Sequence, residues 1–143
     1  MVISIGSDHG GYDLKESIKT HLNSKGITVL DFGTKDKSPC DYPDIAKVVA
    51  KSIVTKEADF GVLICGTGIG ISIAANKVKG IRASLVHDVF SAKATREHND
   101  ANILCMGARV IGEGLALEIL DNFLKTEFSK DKRHIDRINK IED

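Results

Sequence analysis

A chain of 143 residues with 42% hydrophobic and 28% charged side chains, and only two prolines, has the composition of a single globular domain spanning residues 1–143, which excludes disordered and fibrous classes. Twenty basic and twenty acidic side chains cancel, so no global charge draws it to nucleic acid or to an anionic membrane, and any anion site must be local. No apolar stretch approaches the length of a membrane span, and the strand-like Val2-Ile3-Ser4-Ile5 has no basic lead before it, so no membrane partner and a cytoplasmic location are expected.

Val2 to Gly6 reads as a first strand, with Ser7-Asp8-His9-Gly10-Gly11 as its exit loop. Leu14, Ile18 and Leu22 mark a helical stripe that Lys25-Gly26 closes, and Ile27 to Leu30 is a second strand. A loop from Phe32 to Pro43 carries Cys40, Asp41 and Tyr42, before helical spacing at Ile45, Val48, Val49 and Ile53. Phe60 to Cys65 predicts a third strand, followed by the turn Gly66-Thr67-Gly68-Ile69-Gly70 and a short helix ending near Lys79-Gly80. Arg82 to Val86 has the apolar side chains of a buried fourth strand, Phe90 to His98 is helical, and Ile103 to Met106 is a fifth strand. Gly112 to Phe128 is the longest helical pattern. The tail from Asp131 to Asp143 also has helical spacing, at Ile135, Ile138 and Ile141, but it is short and strongly charged and needs a partner surface.

Strands alternating with helices predict a parallel sheet covered on both faces, with ligands bound beyond the carboxyl ends of the strands. On that reading Asp8-His9, Cys65 to Thr67 and the region of His98 share one neighbourhood. Cys65 draws attention because of the glycines after it. A lone strand cysteine is ordinarily a small buried hydrophobe, but a thiol before a glycine-rich turn meets backbone N–H groups that favour negative charge. The three cysteines are an odd number with no C-x-x-C pair, so neither a disulfide framework nor a cysteine-based zinc site is suggested; Cys40 and Cys105 are expected to be structural or incidental. The turn is G-x-G-x-G rather than G-x-G-x-x-G, which speaks against a dinucleotide site although Asp88 lies downstream, and no Gly-Lys-Ser/Thr follows to make a phosphate loop. His9 beside Asp8 has no third ligand at helical spacing, so a metal is not expected there. Asn99 and Asp100 are ordinary residues for a helix end, whereas His98 is not explained that way. Arg133 and Arg137 are four apart and share one helix face.

Taken together, Gly6 to Gly11, Asp41-Tyr42-Pro43, Ile64 to Lys77, Gly80 to Ala83, Glu97 to Asn102, Gly107-Ala108-Arg109 and Arg133-His134 with Arg137 resemble type B ribose-5-phosphate isomerases and the related galactose-6-phosphate isomerase subunits. The resemblance covers essentially the whole chain. It implies a flavodoxin-like three-layer α/β fold with five parallel strands between helices, a C-terminal helix docked on a partner subunit, and a homodimer or tetramer whose site is shared between subunits. It implies interconversion of ribose 5-phosphate and ribulose 5-phosphate through a cis-enediolate, with no metal or organic cofactor and a small phosphorylated sugar as the partner.

The resemblance further assigns Cys65 as the base, Thr67 as an aid to proton movement between the oxygens, and His98 as the group that opens the furanose ring. Backbone N–H groups across Gly66, Thr67, Gly68, Ile69, Gly70 and Ile71 would hold the enediolate; Asp8 and Asn99 would bind hydroxyls and Tyr42 would line the pocket. His9, Arg109, Arg133 and Arg137 would hold the phosphate. One branch of the family lacks the cysteine and carries a glutamate where this chain has Ile71, which places this chain with the thiol branch. The galactose-6-phosphate subunits generally lack the histidine found here as His98, which favours a pentose phosphate. Isomerisation of 6-phosphohexoses such as allose or galactose 6-phosphate remains an alternative, as does a nonenzymatic phosphosugar-binding module, which would need neither Cys65 nor His98.

Overall fold

The computed structural model describes all 143 residues. The apolar runs form β1 (Val2–Ser7), β3 (Phe60–Cys65) and β5 (Ile103–Gly107), flanked by β2 (Thr28–Asp31) and β4 (Ala83–Leu85) in one five-stranded sheet of order β2-β1-β3-β5-β4. Every pairing is parallel. Strands β3 and β5 carry no polar or charged side chain apart from cysteine, because both faces are covered. Alternation along β3 sends Val62 and Ile64 into one core and Leu63 and Cys65 into the other, and β5 repeats this with Leu104 and Met106 against Ile103 and Cys105. Helices α1 (Tyr12–Ser24), α4 (Val89–Asn99) and α5 (Glu113–Lys125) pack into the first core, and α2 (Tyr42–Val54) and α3 (Ile69–Ala75) into the second. Each fully buried Ile or Leu contributes about 1.5–3 kcal/mol through removal from water. No helix is long and apolar enough to cross a membrane.

The sheet is that of a flavodoxin-like fold with its last two strands exchanged, since the common order runs 2-1-3-4-5. Consequently β4, expected to be buried, is an edge strand with Leu85 38% exposed. The exchange also matters for the site: β5, not β4, borders β3, so the chain leaving β5 meets the glycine turn. Element ends move too. Strand β2 runs one residue later than its apolar pattern, and α5 stops at Lys125, where Thr126 turns extended and its hydroxyl donates to the Asn122 carbonyl at 2.6 Å. Helix α3 ends at Ala75 rather than near Lys79 because Asn76 clips it to the edge strand, donating to the Ser72 and Ala83 carbonyls at 3.0 and 2.8 Å and accepting the Ala83 N–H at 2.8 Å. Tyr42, expected in a loop, opens α2, with Asp41 at the N-cap and Pro43 in the first turn.

Two charged clusters tie the layers together. Lys15, with no exposed surface, reaches Asp31 at 2.7 Å and Glu16 at 2.8 Å, and Lys19 reaches Asp31 at 2.6 Å. Burial pushes the Asp31 carboxyl up, but the two ammonium groups outweigh it and hold it below its usual value. Asp31 also accepts the Gly33 N–H at 3.0 Å, and the Gly33 carbonyl accepts the Ser7 N–H at 2.6 Å, so this ion cluster braces the loop that follows β1.

The second cluster seats helix α6 (Lys132–Glu142), which was expected to rest on a partner subunit. Within the chain it packs on α4: Glu142 pairs with Arg82 at 2.5 Å, and His134, 6% exposed, stacks on His98 with ring centres 4.6 Å apart.

Candidate active site

The carboxyl ends of β1, β3 and β5 meet at a cleft of about 510 Å³ lined by Asp8, Tyr42, Cys65, Gly66, Thr67, Ile69, Gly70, Ile73 and Arg109. Cys65 is the last residue of β3 and is 4% exposed. Its sulfur accepts the Gly68 N–H at 3.1 Å. Gly68 can present that N–H because it is left-handed, with φ of 76°, a conformation that a side chain would strain. The Ile69 N–H goes to Thr67 Oγ1 at 3.2 Å. The amides of Gly66, Thr67, Gly70 and Ile71 donate to no acceptor within the chain, which narrows the row of amides expected to face a ligand from six to four.

Neighbouring elements fix this turn. The Ala108 and Arg109 N–H groups donate to the Cys65 and Gly66 carbonyls, each at 2.9 Å, so the chain leaving β5 is stitched to the chain leaving β3. That places the Arg109 guanidinium over Gly66, where a Cβ would lie 3.3 Å from its nitrogen. Tyr42 lies against Gly70 so closely that a Cβ there would fall 2.5 Å from the phenol ring. Asp8 is 8% exposed and caps the short 3-10 turn His9–Gly11, its Oδ1 accepting the Gly10 and Gly11 N–H groups at 2.9 and 3.3 Å. His9 stands beside the cleft in the same loop, and its Nδ1 accepts the Cys40 N–H at 3.3 Å, so the neutral ring carries its proton on Nε2.

His98, Asn99, Arg133 and Arg137 are not brought to this cleft, and the expectation that His98 shares a neighbourhood with Cys65 in one chain is corrected. Helix α4 starts at the carboxyl end of the sheet and runs back to its amino end, so its last turn, with His98 and Asn99, lies near the start of β5. The Asn99 carbonyl accepts from Arg82 Nε at 2.8 Å, and Asp100 takes the left-handed cap position there with φ of 45°. All four side chains are in exposed residues on α4 and α6. A larger cavity of about 590 Å³ lies near this end, between the chain entering β4 and the end of α6, but its Arg82 is consumed by Glu142 and Asp100 and its lining has no cysteine or histidine. Size alone does not select the site.

Asp88, the residue a dinucleotide reading would need, caps α4: Ser91 donates its N–H at 2.7 Å and its hydroxyl at 2.8 Å, holding the carboxyl below its usual range. No three His, Cys, Asp or Glu side chains converge as a metal-ion cluster. Cys105 is wholly buried on the same face as Cys65, and burial, with Cys65 beside it, pushes its thiol far up. The sequence assigned no role to His134, named only within the resemblance, or to His87. His134 stacks on His98, and His87, two residues past β4, accepts the Gly107 N–H on Nε2 at 3.0 Å. The only signal for His87 was a histidine directly beyond a strand end.

The sequence pattern of the family described as Ribose/Galactose Isomerase matches residues 3–141. A solved structure of Clostridium thermocellum ribose-5-phosphate isomerase B superposes with a TM-score of 0.98 at 53% identity, over 99% of this chain and 95% of that one. A Listeria innocua protein named ribose-5-P isomerase B is 48% identical over 90% of this chain and 87% of its own length. A Clostridium acetobutylicum galactose-6-phosphate isomerase subunit is 46% identical over 100% of this chain and 83% of its own.

Proposed function

Since the chain belongs to the ribose/galactose isomerase family and is a sugar-phosphate isomerase, we propose that it interconverts ribose 5-phosphate and ribulose 5-phosphate with Cys65 as the base. The observation that carries this is the Cys65 sulfur in the cleft, held by the Gly68 N–H, with four unpaired amides beside it. The thiolate takes the C2 proton and returns it to C1, while Thr67 helps carry the hydroxyl proton from O2 to O1, so atoms and charge balance. The charge that builds on O1 and O2 meets the free amides, each an oxyanion donor worth about 2.7–4 kcal/mol in related chemistry. A charged sulfur is a better acceptor for the Gly68 N–H than a neutral one. Ile71, at the position where the other branch of the family has glutamate, is fully buried in the core, which leaves Cys65 without a carboxylate rival there.

Asp8 binds sugar hydroxyls through the carboxylate oxygen not used in capping, Tyr42 covers the sugar, and His9 and Arg109 reach the phosphate. The remaining roles need a second copy of the chain. His98, Asn99, Arg133 and Arg137 of one subunit complete the cleft of the other in a homodimer, His98 donating to the ring oxygen and the arginines pairing with the phosphate. The exposed apolar side chains of Ile69 and Ile73 at the cleft, 52% and 55% exposed, support such a cover. The presence of His98 favours the pentose over 6-phosphohexoses. Incubation with ribose 5-phosphate in deuterated water tests the reading: ketose appears carrying solvent deuterium at C1. Turnover of allose or galactose 6-phosphate in preference to ribose 5-phosphate would move the assignment to the hexose branch.

A further inference from the structure

We propose that His87 is a positioning residue for the isomerisation, holding the glycine turn at the height that Cys65 requires by accepting the Gly107 N–H. The inference rests on the isomerase reading of the cleft and assigns to it a residue outside the lining. Strand β4 pairs with β5 only as far as Leu85 with Cys105, and the last backbone rung is the Val86 N–H to the Cys105 carbonyl at 3.0 Å. The next donor along β5, the Gly107 N–H, goes to the imidazole of His87 at 3.0 Å rather than to a carbonyl. An N–H can only donate, so Nε2 must be the unprotonated nitrogen and the neutral ring carries its proton on Nδ1.

Gly107 is where this bond gains leverage. It pairs with Cys65 across the sheet, and its backbone lies directly under the turn: a Cβ at Gly107 would fall 2.5 Å from the Thr67 carbonyl oxygen. From the other side, a Cβ at Gly68 would fall 3.0 Å from the Gly107 nitrogen. Neither position leaves room for a side chain, so the end of β5 and the turn are in close backbone contact. Gly68 in turn supplies the N–H at 3.1 Å on the Cys65 sulfur. A contiguous path of packed atoms therefore leads from the His87 ring through Gly107 and Gly68 to the base, and His87 touches neither substrate nor thiol. Misplacing a reacting group by about 1 Å costs on the order of 10²-fold in rate, so a shift of a few tenths of an ångström is expected to cost about tenfold.

Three substitutions separate the hydrogen bond from packing: His87→Phe keeps a ring without an acceptor, His87→Ala removes both, and His87→Gln places an amide oxygen near the position of Nε2. The expected result is that kcat for ribose 5-phosphate falls about tenfold in the Phe and Ala variants, with KM within about twofold, and that Gln recovers to within about threefold of wild type. A second readout needs no substrate: the rate at which iodoacetamide alkylates Cys65, followed by peptide mass, changes about threefold or more in the Phe variant, while the Cys40 rate is unchanged. Wild-type kcat and Cys65 alkylation in the Phe and Ala variants would overturn the inference, as would a Gln variant that falls as far as Phe. If wild-type protein fails to isomerise ribose 5-phosphate, the functional reading fails and the alkylation comparison alone decides the role of His87.

Discussion

At the carboxyl end of the sheet Cys65 is 4% exposed and its sulfur already has a backbone donor, whereas at the amino end His98 stands exposed with another histidine stacked against it. The first region is pre-organised by buried strands: β1, β3 and β5 deliver Asp8, Cys65 and Arg109 to one cleft, and the chains leaving β3 and β5 are stitched by backbone hydrogen bonds. The second is a surface made by two helix turns. Its arginines have little to do within the chain; Arg133 has only Asp131 at 3.8 Å, with its side chain 68% exposed. On the proposed reading, a single chain makes one half of a site at each end of its sheet, and two copies bring unlike halves together.

The largest test of the first half is Cys65→Ala, which should lower kcat by about 10²–10⁴-fold while leaving substrate binding nearly intact. Cys105→Ala is its control, since a wholly buried thiol whose ionisation is strongly suppressed has no part in proton transfer; activity should stay within about twofold of wild type after a modest loss of stability, read as Tm. A fully active Cys65→Ala variant would strip the carboxyl-end cleft of its chemistry.

A smaller effect sharpens the second half. Arg137→Ala should lower kcat/KM for ribose 5-phosphate by about 10–100-fold and leave unphosphorylated ribose almost unchanged, because only the phosphate loses a charge-assisted contact. Equal losses on the two sugars would make the arginine structural.

The smallest effect concerns the seating of α6. Burial disfavours the charged form of His134, and Arg133, His98 and Arg137 add to this, so its pKa in the fold lies below the ordinary 6.5. The unfolded chain then binds more protons than the folded one around that pH, and stability must fall as pH drops through it. Wild-type Tm should therefore drop more between pH 7.5 and pH 5.5 than that of His134→Phe, which keeps a ring in the stack and cannot titrate. An identical drop in both proteins would remove His134 from the account of acid sensitivity.

The strands and the glycine turn were legible because they depend on local pattern: Phe60 to Cys65 is apolar at nearly every position, and a cysteine before alternating glycines marks a tight turn after a buried strand. Strand order was not legible. Nothing in Ala83-Ser84-Leu85 says that it lies at an edge, because its place is set by where the β4-α4-β5 crossover returns. The same crossover misled the placement of His98, whose position after the fourth strand in sequence suggested the carboxyl end, while α4 carried it to the other. His87 was overlooked for the complementary reason: its partner is a backbone amide of β5, twenty residues on, and no side-chain pattern announces such a bond. Tyr42 was recognised through family resemblance rather than periodicity, and only the packing of α2 on Gly70 shows how it reaches the cleft.

The claim that the two ends act together is tested most directly by mixing subunits. Cys65→Ala and His98→Ala proteins, each of low activity alone, are denatured, combined in equal amounts and refolded. In a shared-site dimer about half of the molecules are hybrids, each with one site carrying both lesions and one carrying none, so about a quarter of wild-type activity returns above the sum of the parents. If Cys65 and His98 served one site from one chain, every site would keep a lesion, and dimers shown by mass spectrometry to be mixed would recover nothing.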